Sequence, residues 1–300
     1  MNKITLSYIL ATRNKLPYLK GTLEKILANK TDSDEILIAD GDSNDGTKEY
    51  LKNLKNEGKI DYYVSEKDAG LAHALNKLCL KANGELIKYL SDDDAFDFDV
   101  IKKCRDFMIS NPDIDLVNTN GGSLNNPGRA ITEKDPEQIV RSLDYLDPFK
   151  IWQASHAPFY FCDLGVLFRR DSLPVVGMWN SLFPGPDIEF SLRVSAGKSK
   201  IAWYSGYSYV NISNPKSISL TQMKKTNGLK TRLDKFYFNK NPDNFFKTKT
   251  RTLVNRLKGI GKPSSQENPQ SFETQWSELI NISEKWIKIK NSKSDLLFLN

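Results

Sequence analysis

The first 120 residues alternate between short apolar runs and segments with the spacing of an amphipathic helix. Apolar, β-branched runs occupy 4–12, 35–40, 60–66 and 85–91, and a helical segment follows each of the first three. Strands separated in this way predict a mostly parallel sheet, because parallel neighbours need a crossover connection that is usually a helix. We therefore expect an α/β fold with a Rossmann-like sheet flanked by helices.

The predicted strands all end in polar sequence. These ends read ATRN, ADGDSNDG, SEKDAG and SDDD, and three of them are rich in carboxylates. In open α/β sheets, ligands bind beyond the carboxyl ends of the strands. We therefore expect the chemistry of this chain at that edge of the sheet.

The second strand end, DGDSNDGT (40–47), has three interpretations. Asp40, Asp42 and Asn44 fit the first ligand positions of a calcium loop, but Asp45 stands where that loop requires glycine and Leu51 where it requires glutamate. An ordinary βα turn is compatible with these residue types. A carboxylate here also suits the hydrogen-bond donors of a nucleotide base or ribose.

The fourth strand end, SDDDAF, places three carboxylates side by side. One aspartate before a helix caps its free N–H groups, but three exceed that need. Closely spaced oxygen ligands are what Mg²⁺ or Mn²⁺ prefers, commonly with a diphosphate supplying other ligands. The motif therefore predicts a divalent cation site.

ATRN, ADGDSNDGT, SEKDAGLAHALNK and LSDDDAF, in this order, resemble the nucleotide-sugar half of inverting family 2 glycosyltransferases of the GT-A fold. The resemblance covers about residues 4–210. It implies transfer of a sugar from a nucleotide diphosphate sugar, with UDP expected, to a saccharide or lipid-linked saccharide acceptor. It further implies a place in bacterial surface polysaccharide or lipopolysaccharide assembly.

The resemblance implies a set of nucleotide-sugar contacts at the four strand ends. The aspartate of the second motif binds the base in that family, and the third motif supplies a further nucleotide contact and a supporting asparagine. Carried over residue by residue, the set is Thr12, Arg13, Asp40, Asp42, Asp68, Asn76 and Asp92.

The metal ligands have two registers in this sequence. A literal D-x-D uses Asp92 and Asp94, whereas the commoner family spacing places Ser91 first and makes Asp93 the main ligand. We name Asp92, Asp93 and Asp94 as candidates and favour Asp93. The expected cofactor is Mn²⁺ or Mg²⁺.

Inversion also requires a general base that takes the proton of the acceptor hydroxyl. The segment FPGPDIEFSLRVSAG resembles the family's later motif, in which an acidic pair precedes a helix ending in Leu-Arg. Asp187 matches the base position, although Pro186 stands where the family usually has a second acid. Glu189 is the fallback base, and an N-cap role for Asp187 is compatible with catalysis.

Three further residues are candidates for the acceptor site. His156 precedes the strand that leads to LFRR, Trp179 precedes the PGPD loop, and Arg193 lies in the helix after it. A structural histidine and a core tryptophan are the alternatives for the first two.

The net charge of +6 is distributed unevenly. Residues 216–262 hold thirteen Lys or Arg and two Asp, a net charge of +11, which leaves −5 for the rest of the chain. Aromatic residues are interleaved with these cations. The segment fits peripheral contact with an anionic membrane, where each Lys or Arg contributes about 1 kcal/mol. A solvated helical face is the alternative, and nucleic acid is not the expected partner.

The cysteines and the hydropathy indicate the compartment. Cys79, Cys104 and Cys162 are widely spaced and form no C-x-x-C, which favours a reducing environment without a structural zinc site. No apolar run approaches the roughly 20 residues of a membrane-spanning helix. We expect a cytoplasmic protein, with peripheral contact at the inner face of the cell membrane.

We divide the chain into a nucleotide-sugar half (1–120), an acceptor half of the same domain (121–213) and a basic, mainly helical extension (214–300). Within these units, 137–149 and 272–290 have helical spacing.

Two other function classes remain open. A nucleotidyltransferase usually has a glycine-rich basic loop after its first strand, and LATRNKLPYL contains no glycine. The non-enzyme alternative is a membrane or nucleic-acid binding module centred on 216–262.

Overall fold

A computed structural model describes residues 3–124, 135–183, 185–214, 223–238, 269–293 and 296–300. The strands are β1 (Leu6–Thr12), β2 (Asp34–Asp40), β3 (Tyr62–Ser65), β4 (Leu86–Leu90), β5 (Ala95–Phe96), β6 (Leu116–Leu124), β7 (Val140–Leu143), β8 (Leu167–Arg169), β9 (Ile201–Ile212) and β10 (Phe298–Leu299). The helices are α1 (Leu16–Asn29), α2 (Thr47–Asn56), α3 (Leu71–Lys81), α4 (Phe98–Ser110), α5 (Pro136–Ile139), α6 (Leu146–Ser155), α7 (Leu173–Val176), α8 (Pro186–Ala196), α9 (Met223–Phe238) and α10 (Pro269–Ser292).

The strands form one mixed sheet with the order β10-β9-β6-β8-β4-β1-β2-β3. The strands β3, β2, β1 and β4 are parallel neighbours, and β6 and β9 are also parallel. The short β8 runs antiparallel between β4 and β6, and β5, β7 and β10 add antiparallel pairs at the periphery. The predicted α/β fold with a mostly parallel sheet is confirmed.

The apolar runs form the central strands because helices cover both faces of the sheet. Every residue of β2 and β4 is buried, and so are all residues of β1 except one. Strands buried on both faces carry continuous rather than alternating apolar sequence. The parallel strands bring their carboxyl ends to one edge, where Thr12 pairs in register with Asp40.

The predicted helix at 137–149 is wrong. The segment contains the short helix α5, the strand β7 and the start of α6. The strand forms because Val140–Leu143 pairs with Gly121–Leu124 of β6. Its pairing partner is therefore remote in sequence, and local spacing does not reveal it.

A second, smaller core lies under α10. The predicted helix at 272–290 is confirmed, and its apolar face packs against α1, β5, β6, β7 and β9. The members of this core are Tyr18, Ala95, Leu124, Val140, Val210, Ile212, Phe272, Trp276, Leu279, Ile280, Trp286 and Ile287. These contacts cross the predicted boundary at 213/214, and the division into three units stays a prediction.

Only part of the basic segment is described, namely α9, while 216–222 and 239–262 lie outside the described residues. Tyr160 contacts α9 through Lys230, whose ammonium nitrogen lies 4.0 Å from the centre of the tyrosine ring. Over the part of the chain that the structure describes, no helix is both long and apolar enough to cross a membrane.

Candidate active site

The acidic loop that follows β4 lies at the carboxyl edge of the sheet, beside the end of β1. The hydroxyl of Thr12 donates to a carboxylate oxygen of Asp92 at 2.8 Å. The hydroxyl of Thr22, on α1, donates to the backbone oxygen of Asp92 at 2.9 Å. Two elements that follow one another in the chain, β1 and α1, therefore hold the start of the acidic loop.

Lys15 joins the first two aspartates of this loop. Its ammonium nitrogen lies 3.0 Å from an oxygen of Asp92 and 2.7 Å from an oxygen of Asp93. The side-chain amide of Asn214 also donates to Asp93, at 2.8 Å. The charge of this pair of aspartates is thus partly neutralised by a residue that sequence reasoning missed.

The third aspartate points to a different set of partners. Asp94 accepts hydrogen bonds from the backbone N–H of Ile212 at 2.7 Å, from the hydroxyl of Ser91 and from the amide of Asn211. It thereby anchors the loop to the end of β9. The three predicted metal ligands do not converge, and the described residues hold no cluster of three or more His, Cys, Asp or Glu side chains suited to a metal.

Burial dominates the electrostatics of the loop. Burial raises the pKa of Asp92 to about 6, against the opposing effect of the Lys15 charge. Burial and the charge of Asp93 raise the pKa of Asp94 to about 7. The attraction of the two aspartates keeps the pKa of Lys15 above its ordinary value despite burial, so the ammonium form persists.

The loop after β2 is fixed by its own polar residues. Asp40 is fully buried and accepts from the backbone and hydroxyl of Ser43 and from the hydroxyl of Ser65, the last at 2.6 Å. Asp42 has a positive φ of 64° and forms an exposed ion pair with Lys48. The candidate base-binding carboxylate of Asp40 therefore already accepts three protein donors.

Arg13, Gly41 and Asp68 are neighbours at this edge. A Cβ atom on Gly41 would lie 3.3 Å from Cδ of Arg13 and 3.4 Å from Oδ2 of Asp68, so the position is suited to glycine. Asp68 also contacts the ammonium of Lys77 at 2.6 Å and the Nδ1 atom of His73 at 3.1 Å. The structure thus brings together two predicted nucleotide contacts from different loops.

Asn76 braces the loop before α8. Its side-chain amide donates to the backbone oxygen of Trp179 at 2.8 Å, and its side-chain oxygen accepts from the Trp179 N–H at 3.1 Å. Both ends of the amide are therefore bonded to one residue of the loop. The predicted contact of Asn76 with the nucleotide stays a prediction.

Trp179 is a predicted acceptor-site residue with a core position as the alternative, and the structure places its ring in the core. The ring is only 3% exposed and stacks on Phe190 with the centroids 5.4 Å apart. Its indole N–H donates to a carboxylate oxygen of Asp163 at 2.7 Å. The residue is part of the core because apolar rings surround it.

The guanidinium of Arg193 is also held by contacts within the protein. It donates to Glu189 at 2.9 Å and to the backbone oxygens of Val176 and Met178, the latter at 2.7 Å. These bonds join α8 to the end of α7 and to the loop that follows it. Arg193, the predicted acceptor contact, and Glu189, the fallback base, are therefore bonded to each other.

His156 is exposed and ends α6 in the left-handed conformation, with a φ of 51°. Its ring packs edge-on against Trp152, with the centroids 5.5 Å apart. No described contact joins it to the other predicted site residues in the structure.

Asp187 lies in the first turn of α8 and is partly exposed, and burial raises the pKa of its carboxyl. A helix N-terminus favours a carboxylate. The buried carboxylate of Asp163 lies close enough for the charge of Asp187 to affect it. Burial and then the charge of Asp187 raise the pKa of Asp163 to about 7. Sequence reasoning missed Asp163, because it lies outside every motif and 24 residues before Asp187.

Comparison with known proteins supports the fold. The chain is 30% identical over 108 residues to the putative teichuronic acid biosynthesis glycosyltransferase TuaG of Bacillus subtilis (strain 168), over 36% of this chain and 43% of that protein. The chain thus spans less than half the length of this relative.

Solved structures of low identity share the architecture. S. aureus TarS 1–349 in complex with UDP-GlcNAc superposes with a TM-score of 0.53 at 15% identity, over 72% of this chain and 60% of that chain. The mannosyltransferase PcManGT from Pyrobaculum calidifontis, in complex with GDP-Man and Mn²⁺, gives a TM-score of 0.53 at 16% identity, over 96% and 72%. These likenesses confirm the predicted GT-A fold.

The family model for Glycosyl transferase family 2 matches residues 7–173. That match covers β1 to the start of α7, including the acidic loop and its lysine. Since it spans more than half of the chain, this protein belongs to glycosyl transferase family 2.

Proposed function

We propose that this chain is an inverting glycosyltransferase that moves a sugar from a nucleotide diphosphate sugar to a saccharide or lipid-linked saccharide. The observation that carries the proposal is the pair Asp92 and Asp93, whose carboxylates face one cation, Lys15, at the carboxyl edge of the sheet. A UDP-linked sugar is the proposed donor, as the sequence resemblance implies and as in TarS, which is solved with UDP-GlcNAc. A GDP-linked sugar is the alternative, because PcManGT is solved with GDP-Man.

The donor atoms of this pair fit a divalent cation. Both residues offer carboxylate oxygens, the ligands that Mg²⁺ and Mn²⁺ prefer, and both oxygens already face a positive group. We propose that Asp92 and Asp93 hold the cation and that diphosphate oxygens complete its ligands. A bound cation would offset the negative charge that develops on the leaving diphosphate.

The proposed base is Asp187. Its carboxylate takes the proton of the acceptor hydroxyl while the hydroxyl oxygen forms a bond to the anomeric carbon. The bond from that carbon to the diphosphate breaks, and the nucleoside diphosphate leaves with the electron pair. The ring of Tyr89 lies 5.9 Å from that of Trp179. Burial raises the pKa of Tyr89 most, followed by the charges of Asp163 and Asp94.

The role in surface polysaccharide synthesis is proposed from the relative TuaG, a putative teichuronic acid biosynthesis glycosyltransferase. We also propose cytoplasmic placement with peripheral contact to an anionic membrane through 216–262. Arg232, Lys235 and Phe236 are exposed on α9 at the spacing of one helical face, and the Phe236 side chain is 80% exposed. Such a face combines charge attraction with an apolar side chain that can enter the membrane interface.

The donor is tested by thermal denaturation with a panel of nucleoside diphosphates, with and without Mn²⁺, on the wild type and Asp93→Ala. A ligand at about 100 times its dissociation constant stabilises the native state by roughly 2.7 kcal/mol. We expect one nucleoside diphosphate to raise the denaturation temperature, only when Mn²⁺ is present and only in the wild type. Absence of any shift would refute nucleotide-sugar binding.

The stereochemical outcome is tested by following the anomeric proton of the product by NMR, from an α-linked donor. A β-linked product supports inversion, and an α-linked product contradicts it.

Membrane contact is tested by sedimentation with anionic and neutral vesicles, comparing the wild type with Arg232→Ser/Lys235→Ser/Phe236→Ser. Binding of the wild type to nucleic acid but not to anionic vesicles would reverse the proposed partner.

A further inference from the structure

The backbone of Lys15 is fixed at the start of α1. The residue precedes α1 and its backbone oxygen accepts hydrogen bonds from the N–H groups of Tyr18 and Leu19, at 3.1 and 3.0 Å. The side chain is 17% exposed and reaches back across the edge of the sheet to the acidic loop. The fold therefore delivers one ammonium group to a fixed place between two carboxylates.

The carboxylates that receive Lys15 are more buried than the lysine itself. The side chains of Asp92 and Asp93 are 5% and 8% exposed. Each has one further neutral donor, the Thr12 hydroxyl on Asp92 and the Asn214 amide on Asp93. Among the described residues, Lys15 is the only cation in direct contact with either aspartate, so it carries the neutralisation of the pair.

A divalent cation bound by the same two oxygens would need the space and the lone pairs that the ammonium group uses. Metal–oxygen distances are about 2.0–2.1 Å for Mg²⁺, whereas the ammonium nitrogen lies 2.7 and 3.0 Å from the carboxylate oxygens. Two positive charges a few Å apart in a poorly hydrated site also repel each other strongly. The ammonium and the metal are therefore alternatives at this place.

We propose that Lys15 is a resident counter-ion that competes with a divalent cation for Asp92 and Asp93. The inference rests on the function proposed above, because that function places the cation at this pair. Without nucleotide, the lysine keeps the aspartates paired and the site binds a divalent cation weakly. An arriving diphosphate offers the ammonium other anionic oxygens, and the metal then replaces it, so that cation binding is coupled to donor binding.

The test is a titration of MnCl₂ into nucleotide-free protein, with free Mn²⁺ measured by electron paramagnetic resonance. Lys15→Met keeps the length of the side chain and removes its charge, and we expect Mn²⁺ to bind at least about tenfold more tightly than to the wild type. Lys15→Arg keeps the charge and is expected to match the wild type. The matched control is Lys20→Met, which removes an exposed lysine of α1, five residues after Lys15, and should change the affinity less than about twofold.

Equal Mn²⁺ affinity in the wild type and Lys15→Met would overturn the inference. Lys15→Met also leaves two buried carboxylates without their cation, which destabilises a fold. If this variant unfolds, Mn²⁺ is expected to restore cooperative thermal unfolding while Lys15→Arg folds without it. Failure of Mn²⁺ to restore the fold would show that the metal does not replace the ammonium.

The titration contains no nucleotide, so its result does not depend on donor binding. Tighter Mn²⁺ binding by Lys15→Met together with an inactive diphosphate panel would support the counter-ion and refute the proposed transfer. Stabilisation by one diphosphate, together with equal Mn²⁺ affinity in the wild type and Lys15→Met, would support donor binding and refute the counter-ion.

Discussion

The indole N–H of Trp276 donates a hydrogen bond to the backbone oxygen of Asp93, 3.0 Å away. The two residues are 183 positions apart, and the bond joins α10 to the acidic loop. The ring of Trp276 also packs edge-on against Tyr18, with the centroids 5.5 Å apart, and lies where a Cβ atom on Gly21 would collide with it. A helix far along the chain thus fixes the backbone at Asp93, the residue proposed as the main metal ligand.

Replacing Trp276 with phenylalanine removes this hydrogen bond and leaves a buried backbone oxygen without its donor. We expect a loss of about 1–3 kcal/mol in the free energy of unfolding, measured by urea denaturation. We also expect weaker stabilisation by Mn²⁺ with the active diphosphate, because the acidic loop is held less firmly.

Trp286→Phe is the matched control for this change. Trp286 is buried on the same helix, and its indole nitrogen has no hydrogen-bond partner among the described residues. The control loses ring volume but no bond, so its ligand response should match the wild type. An equal loss of ligand response in both variants would contradict a positioning role for Trp276.

Ending the chain after Asn214 removes α9, α10 and β10. Six large apolar side chains of the second core are lost with them, namely Phe272, Trp276, Leu279, Ile280, Trp286 and Ile287. Each is worth roughly 1.5–3 kcal/mol when fully buried, so their sum is comparable to the whole stability of a typical domain. We expect no cooperative thermal transition in residues 1–214. A truncated protein that melts like the full chain would show that this core is dispensable.

Asp163→Asn is expected to stabilise the protein at neutral pH. Burial and the charge of Asp187 raise the pKa of Asp163 from 3.8 to about 7 in the folded state. Between these two values the folded state binds more protons than the unfolded state, so the stability of the wild type falls as pH rises from about 4 to 7. Asparagine is uncharged and keeps an acceptor for the Trp179 indole.

We therefore expect Asp163→Asn to exceed the wild type by up to about 4 kcal/mol at pH 8, since one pKa unit corresponds to about 1.4 kcal/mol and the raised pKa of about 7 already includes the opposing charge of Lys88. The difference should shrink towards pH 4. Urea denaturation across this range measures it, and a difference that does not change with pH would assign the effect to packing.

Asp187→Asn is expected to lower kcat by about 10²–10⁴-fold, because an amide cannot take the acceptor proton. Stabilisation by the donor diphosphate should persist, since Asp187 contacts none of the predicted nucleotide residues in the described structure. Glu189→Gln serves as the comparison: its partner is Arg193, so it should affect stability more than kcat. A larger loss of kcat in Glu189→Gln would transfer the base role to that residue.

The sequence predicted most of the fold where burial alone determines structure. The bounds of α1 match the apolar spacing of 16–29, and the central strands follow the apolar runs, because both depend on local pattern. The strand β7 was not predictable, since Val140–Leu143 becomes a strand only by pairing with β6. Local sequence contains no information on such a partner.

The candidate site was predictable in its carboxylates but not in its cations. Strand ends of a parallel sheet meet at one edge, so Thr12 and Asp92 could be placed together from order alone. Lys15 lies 78 residues before Asp93, and its contact depends on the path of its side chain. One signal in the sequence could have indicated this contact. Three adjacent aspartates need a neutralising charge, and Lys15 follows the end of the first strand.

The strand β10 pairs with the edge of β9, where Phe298 faces Tyr204 and its ring stacks 4.0 Å from that of Phe107. During synthesis, β9 leaves the ribosome about 90 residues before this partner is made. At roughly 5–20 residues per second, the unpaired edge stays open for several seconds or more. An open strand edge is a template for pairing with other chains. Translation speed across the intervening basic segment therefore sets how long each nascent molecule is vulnerable to aggregation.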